Sequence, residues 1–282
     1  MRPGSEALIG RIAGSRPVGS RPVGGGSVGS VRRVTLADGR TVAVKEGSAG
    51  LAIEGRMLRY LARHTALPVP EVLHADDRLL VTAWIETEGG LDAAAETDAG
   101  ALLAALHDVT ADAFGFACDT PIGGLRQPNP WTRCWVAFFR DHRLLAMARQ
   151  ALTAGRLPAA TMARIERLAG RLERWIEEPA APSLIHGDLW AGNVLCRHGR
   201  IAGVVDPALA FADPEIELAF ATLFASFGEP FFASYREHRP LRPGFFEECR
   251  DLYNLYPLLV HVRLFGGAYL GAVERTLARF GS

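Results

Sequence analysis

Three polar side chains beyond the middle of the chain have types and spacing that suit phosphoryl transfer. Asp188 precedes Asn193 by five positions, and Asp206 follows Asn193 by thirteen. One carboxylate can orient an attacking hydroxyl and receive its proton, while an amide oxygen and a second carboxylate are hard ligands for Mg²⁺ on nucleotide phosphates. We therefore interpret Asp188 as a catalytic base and Asn193 and Asp206 as magnesium ligands, in the order of the catalytic and metal loops of kinases.

A polar turn between strands is the alternative interpretation, because His, Gly, Asp and Asn are ordinary turn residues. Short apolar runs at 183–185, 194–196 and 201–205 predict three strands, with the polar residues at strand ends. An isolated His-Gly-Asp would favour the turn. With the asparagine and the later aspartate at both expected spacings, we favour the catalytic interpretation.

A glycine-rich loop precedes two predicted strands near the N terminus, and the second strand ends at Lys45. Gly25, Gly26 and Ser27 lie in this loop. Glycines let backbone N–H groups approach phosphates, and a lysine on the next strand can meet the α- and β-phosphates of ATP. The loop alone would favour a flexible linker, but the strand that follows it favours a phosphate-covering loop.

Glu54 lies nine residues after Lys45, on a helix predicted at about 51–63. A glutamate that faces the lysine would hold it in position, whereas the alternative is a solvated helix charge. Two further strands are predicted after this helix. The backbone of Ala83 and Ile85, at the end of the second, could hydrogen-bond the edge of adenine.

Strands early in the chain and helices afterwards predict an α+β fold of two lobes. We expect residues 1–86 to form an N-lobe, a small antiparallel β-sheet with one helix, which carries the glycine-rich loop, Lys45 and Glu54. Residues 87–282 would form a larger, mainly helical C-lobe with the catalytic loop, the metal loop and the substrate site. The segment 14–24 contains a short duplication with two X-Pro steps, which favours an extended connector.

Composition restricts the class of protein. Hydrophobic residues make up 49% and charged residues 22% of the 282, as is typical of globular proteins. Basic and acidic residues number 31 each, so no net charge favours nucleic acid or an anionic membrane. The four cysteines show no Cys-x-x-Cys spacing, and the N terminus lacks the apolar run of a signal peptide. We therefore expect a cytoplasmic protein that binds neither nucleic acid nor membrane.

With these residues placed, the chain resembles the fructosamine kinase (ketosamine-3-kinase) family, within the aminoglycoside phosphotransferase and choline kinase-like group of the protein-kinase-like fold. The resemblance covers roughly 24–280 and is most specific at 186–193, His-Gly-Asp-Leu-Trp-Ala-Gly-Asn. It implies phosphorylation by ATP, with Mg²⁺, of the sugar 3-hydroxyl of a ketosamine, which is a sugar joined to a free or protein-bound amine. The unstable 3-phosphate then releases the amine, so the resemblance implies a role in deglycation. We expect a monomer.

The chain departs from the family pattern at several positions. Ser27 stands where the family often has a cysteine that is a redox switch in some members, so we expect no loop disulfide. Ala83 stands where a hinge glutamate is usual, and Glu217 where an aspartate is usual. The segment 223–227 reads Leu-Phe-Ala-Ser-Phe instead of Leu-Phe-Gly-Gly-Phe, which bears on the sugar amine that fits.

Three residues are candidate substrate contacts. Trp190, two positions after Asp188, could give the sugar a flat face and exclude water, or it could pack between the lobes. His261 and Tyr269 could line the substrate side, and a structural role is equally compatible with each.

Two other functions stay open. A kinase of the same fold could act on an aminoglycoside or a choline-like amine, but such cations usually need an acidic pocket. The segment expected on the substrate side is aromatic and carries Arg126, Arg133, Arg140 and Arg143.

A nucleotide-binding pseudoenzyme is the alternative from another class. It would lack at least one of four residues that are all present here, namely Lys45, Asp188, Asn193 and Asp206. A protein kinase is disfavoured because the chain has neither an Asp-Phe-Gly nor an Ala-Pro-Glu segment.

Overall fold

The computed structural model describes residues 5–24, 30–47 and 50–282. Five strands form one antiparallel sheet in the order β1-β2-β3-β5-β4. They are β1 (Pro17–Val23), β2 (Ser30–Leu36), β3 (Thr41–Glu46), β4 (Val72–Ala75) and β5 (Leu79–Ala83). Two helices accompany this sheet, α1 (Ser5–Ala13) and α2 (Leu51–His64).

Alternation along β3 gives the sheet two different faces. Val44 is buried with Ile9 of α1 on one face. Because side chains alternate across a strand, Lys45 leaves β3 on the opposite face. That face is covered by α2, where Leu58 packs against Leu80 of β5. The pattern of β3 therefore directs Lys45 toward the helix that carries the predicted glutamate.

Strand β1 lies in the segment for which we predicted only an extended connector, so that prediction is wrong. β1 pairs with β2, with Pro22 opposite Arg32 and Val23 opposite Val31. A proline cannot donate to a ladder, but β1 is an edge strand, whose outer side needs no donor. Most side chains of β1 are exposed, so no hydrophobic pattern indicated the fifth strand.

The rest of the described chain is mainly helical and encloses the largest hydrophobic core. Its helices are α3 (Ala93–His107), α4 (Trp135–Phe139), α5 (Leu145–Thr153), α6 (Ala159–Ala169), α7 (Glu215–Ala221), α8 (Glu229–His238), α9 (Arg250–Phe265) and α10 (Leu270–Arg279). Helix α3 packs along α8, and α9 packs against α5, α7 and α10. Sheet and helices together confirm the predicted α+β class.

Short strand pairs carry the loops of the helical part. They are β6 (Thr120–Ile122) with β7 (Leu125–Gln127), β8 (Ser183–Ile185) with β11 (Ala210–Ala212), and β9 (Val194–Arg197) with β10 (Arg200–Val204). The strands predicted around the catalytic stretch are thereby confirmed. Because the β9–β10 hairpin starts after Asn193 and ends before Asp206, it returns the chain so that these two residues lie close together.

Helix α9 continues through a proline. It ends at Phe265 and is preceded by a wide helical turn at Phe245–Cys249. Pro257 lies inside α9 and removes one backbone donor. Burial of Tyr256 and Leu258 on either side of it stabilises the helix through this point.

Within the described ranges, no helix is long and apolar enough to cross a membrane. The four cysteines carry free thiols. The lobe boundary between residues 86 and 87 stays a prediction.

Candidate active site

Lys45 is the centre of a buried group of charges on the α2 side of the sheet. Its Nζ lies 3.0 and 2.8 Å from the two carboxylate oxygens of Glu54, and 2.9 Å from Oδ1 of Asp206. Burial alone would lower the pKa of Lys45, but the negative charges of Glu54 and Asp206 outweigh it, and the pKa is raised above its usual value. Lys45 is therefore charged and held from both sides.

Asp206 follows β10 in a left-handed backbone conformation, with a φ of 56°. Positive φ is uncommon outside glycine, although aspartate and asparagine tolerate it best. The carboxylate meets Lys45 through one oxygen, and the side chain stays 37% exposed. Backbone strain of this kind is typical of functional sites, where a side chain must point in one direction.

Asp188 and Asn193 are joined by hydrogen bonds across the loop between β8 and β9. The Nδ2 group of Asn193 donates to the main-chain oxygen of Asp188 at 2.8 Å and to its Oδ2 at 3.0 Å. Burial raises the pKa of Asp188 to about 7, although the hydrogen bond from Asn193 lowers it, and the charge of Asp206 raises it further. A carboxyl group with this pKa can exchange a proton near neutral pH.

Gly187 allows the catalytic loop to pass directly against the metal loop. Its φ is 84°, and a Cβ atom there would lie 2.1 Å from the carbonyl oxygen of Ala208. The Ala208 N–H donates to the carbonyl oxygen of His186 at 2.8 Å. A side chain at position 187 would force the two loops apart and misplace Asp188 relative to Asp206.

Glu217 binds the backbone of the loop that carries Asp188, a role that the sequence did not predict. Its carboxylate accepts the N–H of His186 at 3.0 Å and the N–H of Gly187 at 2.6 Å. His107 Nε2 lies 3.1 Å from the same carboxylate, and Tyr235 OH lies 2.8 Å from His107 Nδ1. Glu217 and His107 are almost fully buried. The only feature of the sequence that drew attention to position 217 was a glutamate where the family usually has an aspartate.

These side chains line one cleft of about 870 Å³ between the sheet and the helices. The predicted site residues that line it are Lys45, Glu54, Ala83, Ile85, Asp188, Trp190, Asn193, Asp206, His261 and Tyr269. The predicted loop residues Gly25, Gly26 and Ser27 lie outside the described residues. The cleft thus brings together the predicted catalytic, metal, nucleotide and substrate residues that the structure describes.

The hinge after β5 offers a backbone donor to a ligand. The N–H of Ala83 donates to the carbonyl of Glu71, and that of Trp84 donates to the carbonyl of Thr41. Within the described ranges, the N–H of Ile85 makes no hydrogen bond. Of the two predicted hinge residues, Ile85 therefore has a backbone N–H that could donate to adenine. The N–H of Ala83 is already used, so only its carbonyl could contact adenine.

Among the described residues that line this cleft, none is an arginine of the 126–143 segment. Arg126 and Arg140 pair with Asp119 and Asp141 at the surface. Arg143 is buried. Its guanidinium donates to the carbonyl of Pro128 and to Asn129 Oδ1, and it stacks on Phe138. It reaches only a small cavity of about 40 Å³ beside Asp188.

Asn193 and Asp206 carry oxygen atoms of the kind that Mg²⁺ prefers. The Nδ2 group of Asn193 holds Asp188, which leaves Oδ1, on the other branch of the amide, without a partner among the described residues. Those residues contain no group of three or more His, Cys, Asp or Glu side chains that could hold a metal ion. The residues therefore fit a cation that takes its other ligands from phosphates and water.

Comparison with known proteins gives one consistent family. A family model described as fructosamine kinase matches residues 11–281. The chain is 38% identical over 182 residues to a probable ketoamine kinase of Synechocystis, an alignment that covers 63% of this chain and 59% of that protein. It is 31% identical over 240 residues to a probable ketoamine kinase of Enterococcus faecium, with 84% of each chain covered.

Solved structures agree with the fold. A structure from Thermobifida fusca, assigned as a fructosamine-3-kinase, superposes with a TM-score of 0.85 at 33% identity, over 98% of this chain and 99% of that one. An aminoglycoside phosphotransferase solved with ADP and hygromycin B has a TM-score of 0.67 at 18% identity, over 97% and 95% of the two chains. The second likeness establishes the protein-kinase-like fold alone.

Proposed function

The chain belongs to the fructosamine kinase family, and from this premise we propose that it transfers the γ-phosphate of ATP to the sugar 3-hydroxyl of a ketosamine. The observation that carries the proposal is the meeting of Lys45, Asp188 and Asp206 in one cleft. Decay of the 3-phosphate would release the amine, so the reaction would reverse glycation of a free or protein-bound amine.

Lys45 is proposed to hold the phosphates of ATP. Its ammonium group already points at Asp206, because Glu54 fixes it from the α2 side. The free N–H of Ile85 and the carbonyl of Ala83 are proposed to bind adenine. Gly25, Gly26 and Ser27 stay predicted contacts of the phosphates.

Asn193 Oδ1 and Asp206 are proposed to hold Mg²⁺. When bound, the ion would neutralise charge that develops on the transferring phosphoryl group. The hydrogen bonds from Asn193 Nδ2 to Asp188 give this asparagine a second function. It links the proposed metal position to the proposed base.

Asp188 is proposed to orient the 3-hydroxyl and accept its proton. Its hydrogen bond from Asn193 fixes one carboxylate oxygen and leaves the other for the sugar hydroxyl. Glu217 holds the two backbone N–H groups that precede Asp188, so the base is part of a rigid loop. Trp190 is proposed to cover the sugar, since its ring is partly exposed beside the base.

One chain brings the proposed catalytic, metal and nucleotide residues that the structure describes into one cleft. We therefore propose a monomer. Four free thiols suit a reducing compartment, and we propose a cytoplasmic location.

The experiment is a comparison of ATP consumption with Mg²⁺ on fructosyl-lysine, ribulosyl-lysine, choline and an aminoglycoside. The proposal predicts turnover on a ketosamine that Asp188→Asn lowers about a hundredfold or more. Asp112→Asn, at an exposed position away from the cleft, is the matched control and should keep full activity. Turnover only on choline or the aminoglycoside would overturn the acceptor assignment, and ATP binding without turnover on any acceptor would indicate a pseudoenzyme.

A further inference from the structure

Four aromatic rings form one wall of the cleft, which we name the aromatic cluster: Phe224, His261, Phe265 and Tyr269. The His261 ring lies with its centroid 4.8 Å from that of Phe224, 4.8 Å from that of Tyr269 and 5.6 Å from that of Phe265. Phe224 is 45% exposed and Phe265 54% exposed. Large apolar side chains with this exposure, in a cleft and next to each other, indicate a surface that contacts a ligand.

The backbone is strained where it presents Phe224. Phe224 and Ala225 have φ values of 59° and 50°, in the left-handed region that favours glycine. Neither residue is a glycine, so this conformation is costly. Strain of this kind is kept where the direction of a side chain has a function. Here it brings the Phe224 ring against His261.

His261 has a defined tautomer. Its Nδ1 lies 2.8 Å from the carbonyl oxygen of Pro257. A carbonyl can only accept, so Nδ1 carries the proton and Nε2 of the neutral ring has a free lone pair. Burial lowers the pKa of His261, which favours this neutral form. The cluster therefore combines π faces with one hydrogen-bond acceptor.

Carboxylates are placed elsewhere in the cleft. Among the described residues that line it, the acidic side chains are Glu54, Asp188 and Asp206. Two of them hold Lys45, and the third is held by Asn193. A cation at the aromatic cluster would therefore be bound by ring faces and by His261.

We propose that the aromatic cluster binds the secondary ammonium group of the ketosamine. His261 Nε2 accepts one of its N–H bonds, and the rings attract its charge. This inference rests on the proposed function. In a ketosamine the phosphorylated hydroxyl is on C3 and the amine is on C1, only two carbon–carbon bonds away. His261 and Asp188 border the same two cavities, so a sugar can place its 3-hydroxyl at Asp188 and its amine at the cluster.

The experiment compares two acceptors that differ only at the charged atom, 1-deoxy-1-(butylamino)fructose and the ether 1-O-butylfructose. The quantity measured is the ratio of their kcat/KM values. Wild-type protein is expected to prefer the amine. Phe224→Leu and Tyr269→Leu keep apolar bulk but remove the π face, and each should lower the ratio by about 3- to 30-fold.

Two further variants test the histidine. His261→Leu removes the acceptor and should lower the ratio, whereas His261→Gln supplies an amide oxygen and should restore part of it. Phe246→Leu, a partly buried phenylalanine that packs on Phe232 and Phe245 away from the cleft, is the matched control and should leave the ratio unchanged.

The outcomes separate this inference from the proposed function. Turnover of both acceptors with a ratio that no cluster variant changes overturns the ammonium site and leaves the kinase assignment intact. Failure of wild-type protein to phosphorylate either compound overturns the proposed function itself. Equal loss on both acceptors would assign the cluster to apolar contact with the substituent and would also contradict an ammonium site.

Discussion

At Asp188, the proposed catalytic base, burial and hydrogen bonding act in opposite directions. Burial disfavours the charged form of Asp188, and the hydrogen bond from Asn193 favours it. Burial has the larger effect, so the pKa is raised to about 7 in the ligand-free protein. As the proposed base, Asp188 must be ionised to accept a proton, and we therefore expect this pKa to determine the pH at which activity is lost.

The first prediction concerns this pH dependence. Below about pH 7 Asp188 is increasingly protonated in the free protein, so kcat/KM for ATP should fall as pH falls, by up to about tenfold per unit. The measurement is kcat/KM from pH 5 to 9. A constant value down to pH 5 would contradict the raised pKa.

The second prediction concerns the group that positions Lys45. In Glu54→Gln the lysine keeps Asp206 as its one charged partner, so Lys45 should move toward the metal position. We expect kcat/KM for ATP to fall by about 10- to 100-fold, a range typical of misplaced catalytic groups. The free energy of unfolding should change little, because Lys45 is still paired.

Steady-state kinetics and urea unfolding check both parts of this prediction. Glu166→Gln, at an exposed position on α6, is the control and should behave as wild type. Wild-type kinetics in Glu54→Gln would contradict the positioning role.

At the scale of elements, α7 and α3 hold the catalytic loop through buried polar contacts. Glu217 at the start of α7 binds two backbone N–H groups of the loop, and His107 at the end of α3 binds Glu217. A carboxylate can accept all three hydrogen bonds. An amide cannot, because its NH₂ group would face a donor.

The third prediction follows from this difference. Glu217→Gln should lower the free energy of unfolding by about 1 to 3 kcal/mol, because at least one buried donor loses its acceptor. It should also lower kcat, since the loop that carries Asp188 loses its support. Urea unfolding and kcat measure the two effects. Glu237→Gln, at an exposed position on α8, is the control, and equal stability of the two variants would contradict the proposed support.

Local patterns predicted those elements that carry an apolar signal. The strands around 183–205 and the helix with Glu54 follow from apolar runs and periodicity, and both are present. Strand β1 was missed because its side chains are exposed and its prolines suggest a connector. Its pairing with β2 depends on backbone hydrogen bonds, which composition does not report.

At the scale of the whole molecule, types and spacing of Lys45, Asp188, Asn193 and Asp206 were sufficient to predict that they belong to one site. Their meeting in a single cleft depends on how the sheet sits on the helices. The arginines near 126–143 show the limit of such reasoning. Arg143 belongs to the segment expected on the substrate side, and carbonyl groups and an aromatic ring hold its guanidinium in the core.

Only half of the aromatic cluster was predicted from the sequence, since His261 and Tyr269 were candidate substrate contacts but Phe224 and Phe265 were not. Its rings come from the segment after α7, from α9 and from the turn before α10, and only the tertiary fold brings them together. The backbone is left-handed at Phe224, and because this residue is not a glycine, the sequence did not predict that conformation. We conclude that the catalytic roles of single residues are easier to predict from sequence than the side chains that surround the substrate.

We propose that the chain phosphorylates a ketosamine at the sugar 3-hydroxyl. The most direct test follows the ³¹P NMR spectrum and the free amine in a reaction of the protein with ATP, Mg²⁺ and fructosyl-lysine or ribulosyl-lysine. We predict a new sugar phosphate that decays on warming to inorganic phosphate, with one equivalent of lysine released. A stable sugar phosphate with no release of amine, or no sugar phosphate at all, would rule out phosphorylation of the 3-hydroxyl of a ketosamine.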